Sequence, residues 1–126
     1  MSKKTIAILG GGNGAHTMAA DLAMRGYRVR MYEDAAFIGR LSVLRDTLTI
    51  RCSGILSGVG KIEMLTDDMA EAITGADYIA VVTPSTAHVS VAKKLKGLVK
   101  KEQTILIYPG GFGALGHAIA DIDTGV

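Results

Sequence analysis

One cysteine, two prolines and no tryptophan occur in 126 residues, and only 5% of the chain is aromatic. A lone thiol, Cys52, closes no intrachain disulfide, so the fold rests on its own core and a reducing, cytoplasmic setting is expected. Cys52 itself reads as a small apolar filler. Three scattered histidines, His16, His88 and His117, together with that single thiol do not make a structural zinc site. No apolar run reaches the ~20 residues that cross a bilayer. The opening "MSKKTIAILG" sets two lysines before four apolar residues, where a secretory core needs about 7–15. Neither a membrane partner nor a signal peptide is expected.

Strong charge of one sign is also missing. Fourteen Lys and Arg face twelve Asp and Glu, for a net charge of +2. With 48% hydrophobic and 21% charged residues, the chain is no disordered acidic or basic tail. Lysines do gather in "KKLKGLVKK", at 93, 94, 96, 100 and 101. No aromatic is interleaved to stack on bases, so the cluster reads as a solvated helix face and the turn after it. No nucleic-acid partner is expected.

Glycine is plentiful, sixteen residues in all, and it concentrates where the pattern of apolar residues changes period. "KTIAIL" (4–9) is a buried strand by its continuous apolar and β-branched character. In "AHTMAADLAMRG" (15–26), Ala15, Met18, Ala19 and Leu22 recur at helical spacing, and Gly26 supplies the stop. "YRVRMYE" (27–33) is the second strand, completing a unit of about 30 residues, the size of a βαβ unit. Residues 34–46 predict a short helix. "TLTIRCS" (47–53) and "KIEMLT" (61–66) predict two antiparallel strands joined through the glycine-rich "GILSGVG", the second rejoining the main sheet. Thr66 is expected to cap a helix over "DDMAEAIT", with Asp67 and Asp68 suiting its positive end and Gly75 stopping it. "DYIAVVT" (77–83) and "QTILIYP" (103–109) are further strands. A helix over "TAHVSVAKKLK", capped by Ser85 and stopped by Gly97, lies between them, and another opens at "GGFGALGHAIAD". This alternation predicts one α/β domain over residues 1–126. It is a doubly wound, mainly parallel Rossmann-type sheet with helices on both faces, short of its last strand.

The concentration of glycine after the first strand now has a reason. Within "GGGNGA", Gly10, Gly12 and Ala15 fit G-x-G-x-x-G/A, and the match follows a strand and opens a helix inside a βαβ unit. Gly10 permits the tight turn, Gly12 lets a pyrophosphate approach the backbone, and Ala15 keeps the helix against the strand. Gly11 lies in the same turn, and Asn13 and Gly14 tolerate a left-handed backbone if it needs one. Glu33, 18 residues after Ala15, stands where a carboxylate accepts the ribose hydroxyls of adenosine and repels a 2′-phosphate. NAD is therefore expected ahead of NADP, although Arg40 is close enough in sequence to partner a phosphate. Alternatively, the run is only a structural turn and Glu33 a surface charge.

Two more strand exits face the same end of such a sheet. Thr83, Pro84 and Ser85 follow the 77–83 strand, and Pro109 with Gly110 follows the 103–109 strand. Either the first lines the cofactor's ribose and nicotinamide side and the second its nicotinamide end, or both simply terminate strands with turn residues. His88, in the first turn of its helix, is held neutral by the helix terminus and is either a hydrogen-bonding partner in the cleft or a surface residue. His16 is expected to pack on its helix.

"GGGNGAHTMAADLAMRGYRVRMYE", "TDDMAEAITGADYIAVVTPSTAH" and "ILIYPGGFGAL" together resemble the N-terminal domain of the opine dehydrogenases, the octopine and nopaline group, over residues 4 to about 116. Ketopantoate reductases and hydroxyacid dehydrogenases share the fold but fit these turns less well. The resemblance implies an oxidoreductase that condenses an amino acid with an α-keto acid and reduces the imine with NAD(P)H. It also implies that a helical C-terminal domain carries a His–Asp pair and most substrate contacts. No such domain follows within these residues. The expectation is thus a domain that binds dinucleotide without turnover, with a face left open for self-association as a homo-oligomer. A nucleotide-sensing regulatory domain is the alternative.

Overall fold

A computed structural model describes residues 4–53, 57–83 and 87–108. Among these residues seven strands and four α-helices follow in order: β1 (Thr5–Leu9), α1 (Asn13–Met24), β2 (Arg28–Tyr32), α2 (Ser42–Thr47), β3 (Thr49–Cys52), β4 (Gly58–Lys61), β5 (Met64–Thr66), α3 (Met69–Ile73), β6 (Tyr78–Val82), α4 (His88–Leu95) and β7 (Thr104–Tyr108). Five strands form one sheet in the order β5-β2-β1-β6-β7, every neighbouring pair parallel. β1 lies at its centre, in register with β2 (Ile6 opposite Val29) and with β6 (Leu9 opposite Val81).

Alternation along β1 feeds two cores. Ile6 and Ile8 join Ala15, Ala19 and Ala20 of α1, with Val29, Met31, Ile50 and Ile62. Ala7 and Leu9 turn the other way, onto Met69, Ala72 and Ile73 of α3 and Val91, Ala92 and Leu95 of α4. A strand covered on both faces has no place for a polar residue, which is why β1 reads as an unbroken apolar run. Alanine dominates the buried face of α1, and side chains that small let the helix lie close on the sheet.

Arg30, half-buried in β2, ties the sheet to α3. Its guanidinium donates to the Thr74 carbonyl at 2.6 Å and pairs with Glu63 at 2.7 Å. A cation there meets the negative end of the helix. Gln103 is buried and bridges in the same way, donating to the carbonyls of Ile73 and Ala76 and accepting from Lys100 N–H.

Several expectations from the sequence need correction. The 61–66 strand is two strands: Lys61 ends β4, and Met64–Thr66 is β5, which alone joins the main sheet. The second half of "GILSGVG" is not a connection but β4 itself, paired antiparallel with β3 in a separate two-stranded sheet. Its glycines are there for contact. A Cβ on Gly60 would lie 2.7 Å from the Ala20 carbonyl oxygen and 2.8 Å from Ala20 Cα, so the hairpin rests directly on the backbone of α1. Gly60→Ala is expected to cost about 1–3 kcal/mol by forcing the two backbones apart, read as a lower urea midpoint.

Thr66 does not cap α3 either. It ends β5, where its carbonyl accepts from Glu33 N–H, and its hydroxyl oxygen accepts from Asp68 N–H at 3.0 Å. The cap passes to Asp68, whose carboxylate accepts from the amides of Ala70 and Glu71. The short helix expected within 34–46 is there, as a 3-10 turn over Ile38–Leu41 followed by α2, which runs one residue further to Thr47. α1 begins at Asn13, so Asn13 and Gly14 are helical rather than left-handed, and Gly10 alone in that turn has positive φ. α4 has Ala87 at its N-cap, without a side-chain cap, and Ser85 lies outside the described residues, as does the helix expected after Tyr108. Among the described residues, no helix is long and apolar enough to cross a membrane.

Candidate functional site

The cleft opens where the strand order reverses. From β1 the chain winds one way to β2 and β5, then returns to lay β6 and β7 on the other side. Beyond the carboxyl ends of β1 and β6, the loops on either side diverge and leave a crevice. Its volume is about 700 Å³.

The floor of this crevice is the turn after β1. Gly10 leaves the strand at φ +140°, and its N–H donates to the Tyr32 carbonyl at 2.8 Å. A Cβ at Gly10 would run into the carbonyl oxygen of Val82, at the end of β6. Gly12 is the N-cap of α1, extended at φ −82° and ψ −174°, and no side chain caps the helix. The first-turn amides of an α-helix have no partner inside the helix, so here they face the cleft uncapped, with the positive end of the helix dipole. Nothing stands within 4 Å of where a Cβ on Gly12 would be. That space is open on the side from which a bridging pyrophosphate would approach. Ala15 is fully buried one turn on.

Glu33 follows β2 and is half-buried. Its N–H donates to Thr66 of β5 at 3.1 Å, and one carboxylate oxygen accepts from Asp34 N–H at 2.8 Å. The other oxygen lies over Gly11, so close that a Cβ there would displace it. Gly11 therefore leaves the room that the carboxylate occupies.

Gly10, Gly11, Gly12, Gly14, Ala15, Glu33 and Thr83 all line this one cleft. Asn13 does not; it faces a separate hollow with His16, Thr17 and β3. His88 begins α4, but its side chain is outside the described residues, as are Pro84, Ser85, Pro109 and Gly110. His16 folds back on its own helix, its ring Nδ1 2.9 Å from the Gly12 carbonyl oxygen.

Sequence reasoning passed over the opposite wall. Ala87, Ser90, Val91 and Lys94 line the cleft at i, i+3, i+4 and i+7, one stripe of α4. That spacing was legible, but lysine composition pointed to a solvated face instead. Lys94 pairs with Asp34 and donates to Tyr32 Oη at 3.0 Å. The hydrogen bond from Lys94 holds the Asp34 carboxyl below its ordinary range, and the same bond raises the Lys94 ammonium, so both stay charged at neutral pH. Phe37, Arg40 and Leu41 complete the rim, with the Arg40 guanidinium 5.3 Å from the Phe37 ring centre. No cluster of three potential metal ligands occurs among the described residues.

An uncapped helix start behind a bare glycine turn, an acid at the second strand's end and a cleft at the switch point together define a Rossmann-type dinucleotide-binding domain. Residues 5–122 match the family of NAD-dependent glycerol-3-phosphate dehydrogenase N-termini, and the chain belongs to that family. Over most of its length the chain is also similar to opine dehydrogenases. It is 34% identical over 114 residues to an opine dehydrogenase of Arthrobacter sp. (strain 1C), covering 90% of this chain and 31% of that protein. It is 30% identical over 116 residues to the octopine dehydrogenase of Mizuhopecten yessoensis, covering 86% and 29%. A solved octopine dehydrogenase in complex with NADH and agmatine superposes with a TM-score of 0.80 at 25% identity, over 95% of this chain and 32% of that one. The chain thus spans about a third of the length of the relatives it matches.

Proposed function

We propose that this domain holds NADH in the glycine cleft on behalf of an oxidoreductase that reduces an imine between an amino acid and an α-keto acid. The uncapped start of α1 beside open space at Gly12 carries the reading. The first-turn amides hold the pyrophosphate, Glu33 accepts the adenosine ribose hydroxyls, and the stripe of α4 closes the far wall. From the sequence, we assign Thr83, Pro84, Ser85, His88, Pro109 and Gly110 to the nicotinamide side. NADH supplies the hydride when bound. The ionisable side chains described in the cleft, Tyr32, Glu33, Asp34, Arg40 and Lys94, gather around the end of β2, the ribose side. As the chain spans about a third of its relatives' length, we assign proton donation and substrate binding to a further domain and expect this chain alone to bind without turnover.

NADH, NADPH and ATP titrated by calorimetry test the reading. NADH is expected to bind best; a preference for ATP would instead favour a nucleotide sensor. Glu33→Ala is expected to weaken NADH by roughly tenfold, the equivalent of about 1.4 kcal/mol of hydrogen bonding, while the penalty against NADPH shrinks. Unchanged affinity for both would remove Glu33 from the site.

A further inference from the structure

The ribose side of the cleft holds two carboxylates, Glu33 and Asp34, and two cations, Arg40 and Lys94. Only one cation is neutralised there. Among the described residues Arg40 makes no ion pair and lies over Phe37, whereas Lys94 reaches from α4 to Asp34, 60 residues away in sequence. The Lys94 and Asp34 side chains remain 42% and 38% exposed. Pairs so open to water add little stability. What the pair does do is fix where the Lys94 charge points, onto Asp34 in the crevice that Glu33 also lines.

We propose that Asp34 is a specificity-determining residue: by holding Lys94, it withholds a cation from any phosphate ester on the ribose that Glu33 receives. Removing the Asp34 charge would turn Lys94 and Arg40 into a phosphate subsite. The inference rests on the placement of the ribose at Glu33 proposed above. Asp34 acts twice against a dianionic phosphate. It repels the phosphate directly, and it occupies the ammonium that would otherwise attract it. Asparagine keeps the size of the side chain, and its amide oxygen can still accept from Ala36 N–H, a bond of 2.9 Å that shapes the loop.

The test titrates NADH and NADPH into the 126-residue chain and into Asp34→Asn, Lys94→Gln and the double variant, with thermal melts confirming that each is folded. Asp34→Asn is expected to raise the ratio of NADPH to NADH affinity at least tenfold. Adding Lys94→Gln should cancel the gain, and raising salt should erode it. A structural role alone would move both cofactors together. If NADH binds the parent chain and Asp34→Asn leaves the ratio of the two affinities where it was, or the gain survives loss of Lys94, the specificity role is wrong and the cofactor site stands. If the parent chain binds neither dinucleotide, both fall.

Discussion

Replacing Gly10 with alanine is expected to cost about 3 kcal/mol or more of folding free energy, from two sources of about 1–3 kcal/mol each. The first is backbone strain, because φ +140° is a conformation that L-residues rarely adopt. The second is collision: the new methyl group would enter the space of the Val82 carbonyl oxygen, a backbone atom that cannot rotate aside. Nor can the turn slide away, since Gly10 N–H is bonded to Tyr32 at 2.8 Å and β1 is paired with both β2 and β6. Against the 5–15 kcal/mol typical of a domain, that is a large share. A urea titration reads it as a lower midpoint at unchanged slope. A loss below about 1 kcal/mol would show that the turn can relax, and that its geometry is not fixed by the sheet.

The sheet was legible because its strands are covered on both faces. "TIAIL" and "YIAVV" leave no period but burial, and both form strands within one residue of the expected ends. The glycine turn was legible because its spacing is tied to a strand and a helix at once. What escaped the sequence was contact. Glycine inside β4 looks like a loop until Ala20 is known to lie beneath Gly60. Thr66 looks like a cap until its hydrogen bonds with β2 and Asp68 draw it into the sheet. Lys94 belongs to a run of lysines, and only the approach of α4 to β2 singles it out from Lys93, which does not line the cleft. Asn13 is the reverse case. Its type suits a turn, yet the helix begins there and carries it away from the cleft.

Gly12→Ser is expected to leave the fold intact and to weaken NADH binding by about a hundredfold or more. Unlike Gly10, Gly12 sits in extended backbone open to any residue, and a Cβ there touches nothing. Serine is a better N-cap than glycine by a few tenths of a kcal/mol, so the melting temperature should hold or rise slightly. The same hydroxyl would bond the first-turn amides that the pyrophosphate needs, and the new Cβ would fill its approach. Losing two charge-assisted hydrogen bonds at about 1.5–3 kcal/mol each amounts to at least two orders of magnitude in Kd. Calorimetry and a melt on one sample separate the two effects. Affinity within about threefold of the parent would mean that the phosphates rest elsewhere and that Gly12 answers only to the chain. A loss of affinity in a fully folded variant would assign this glycine to the ligand, as Gly10 is assigned to the sheet.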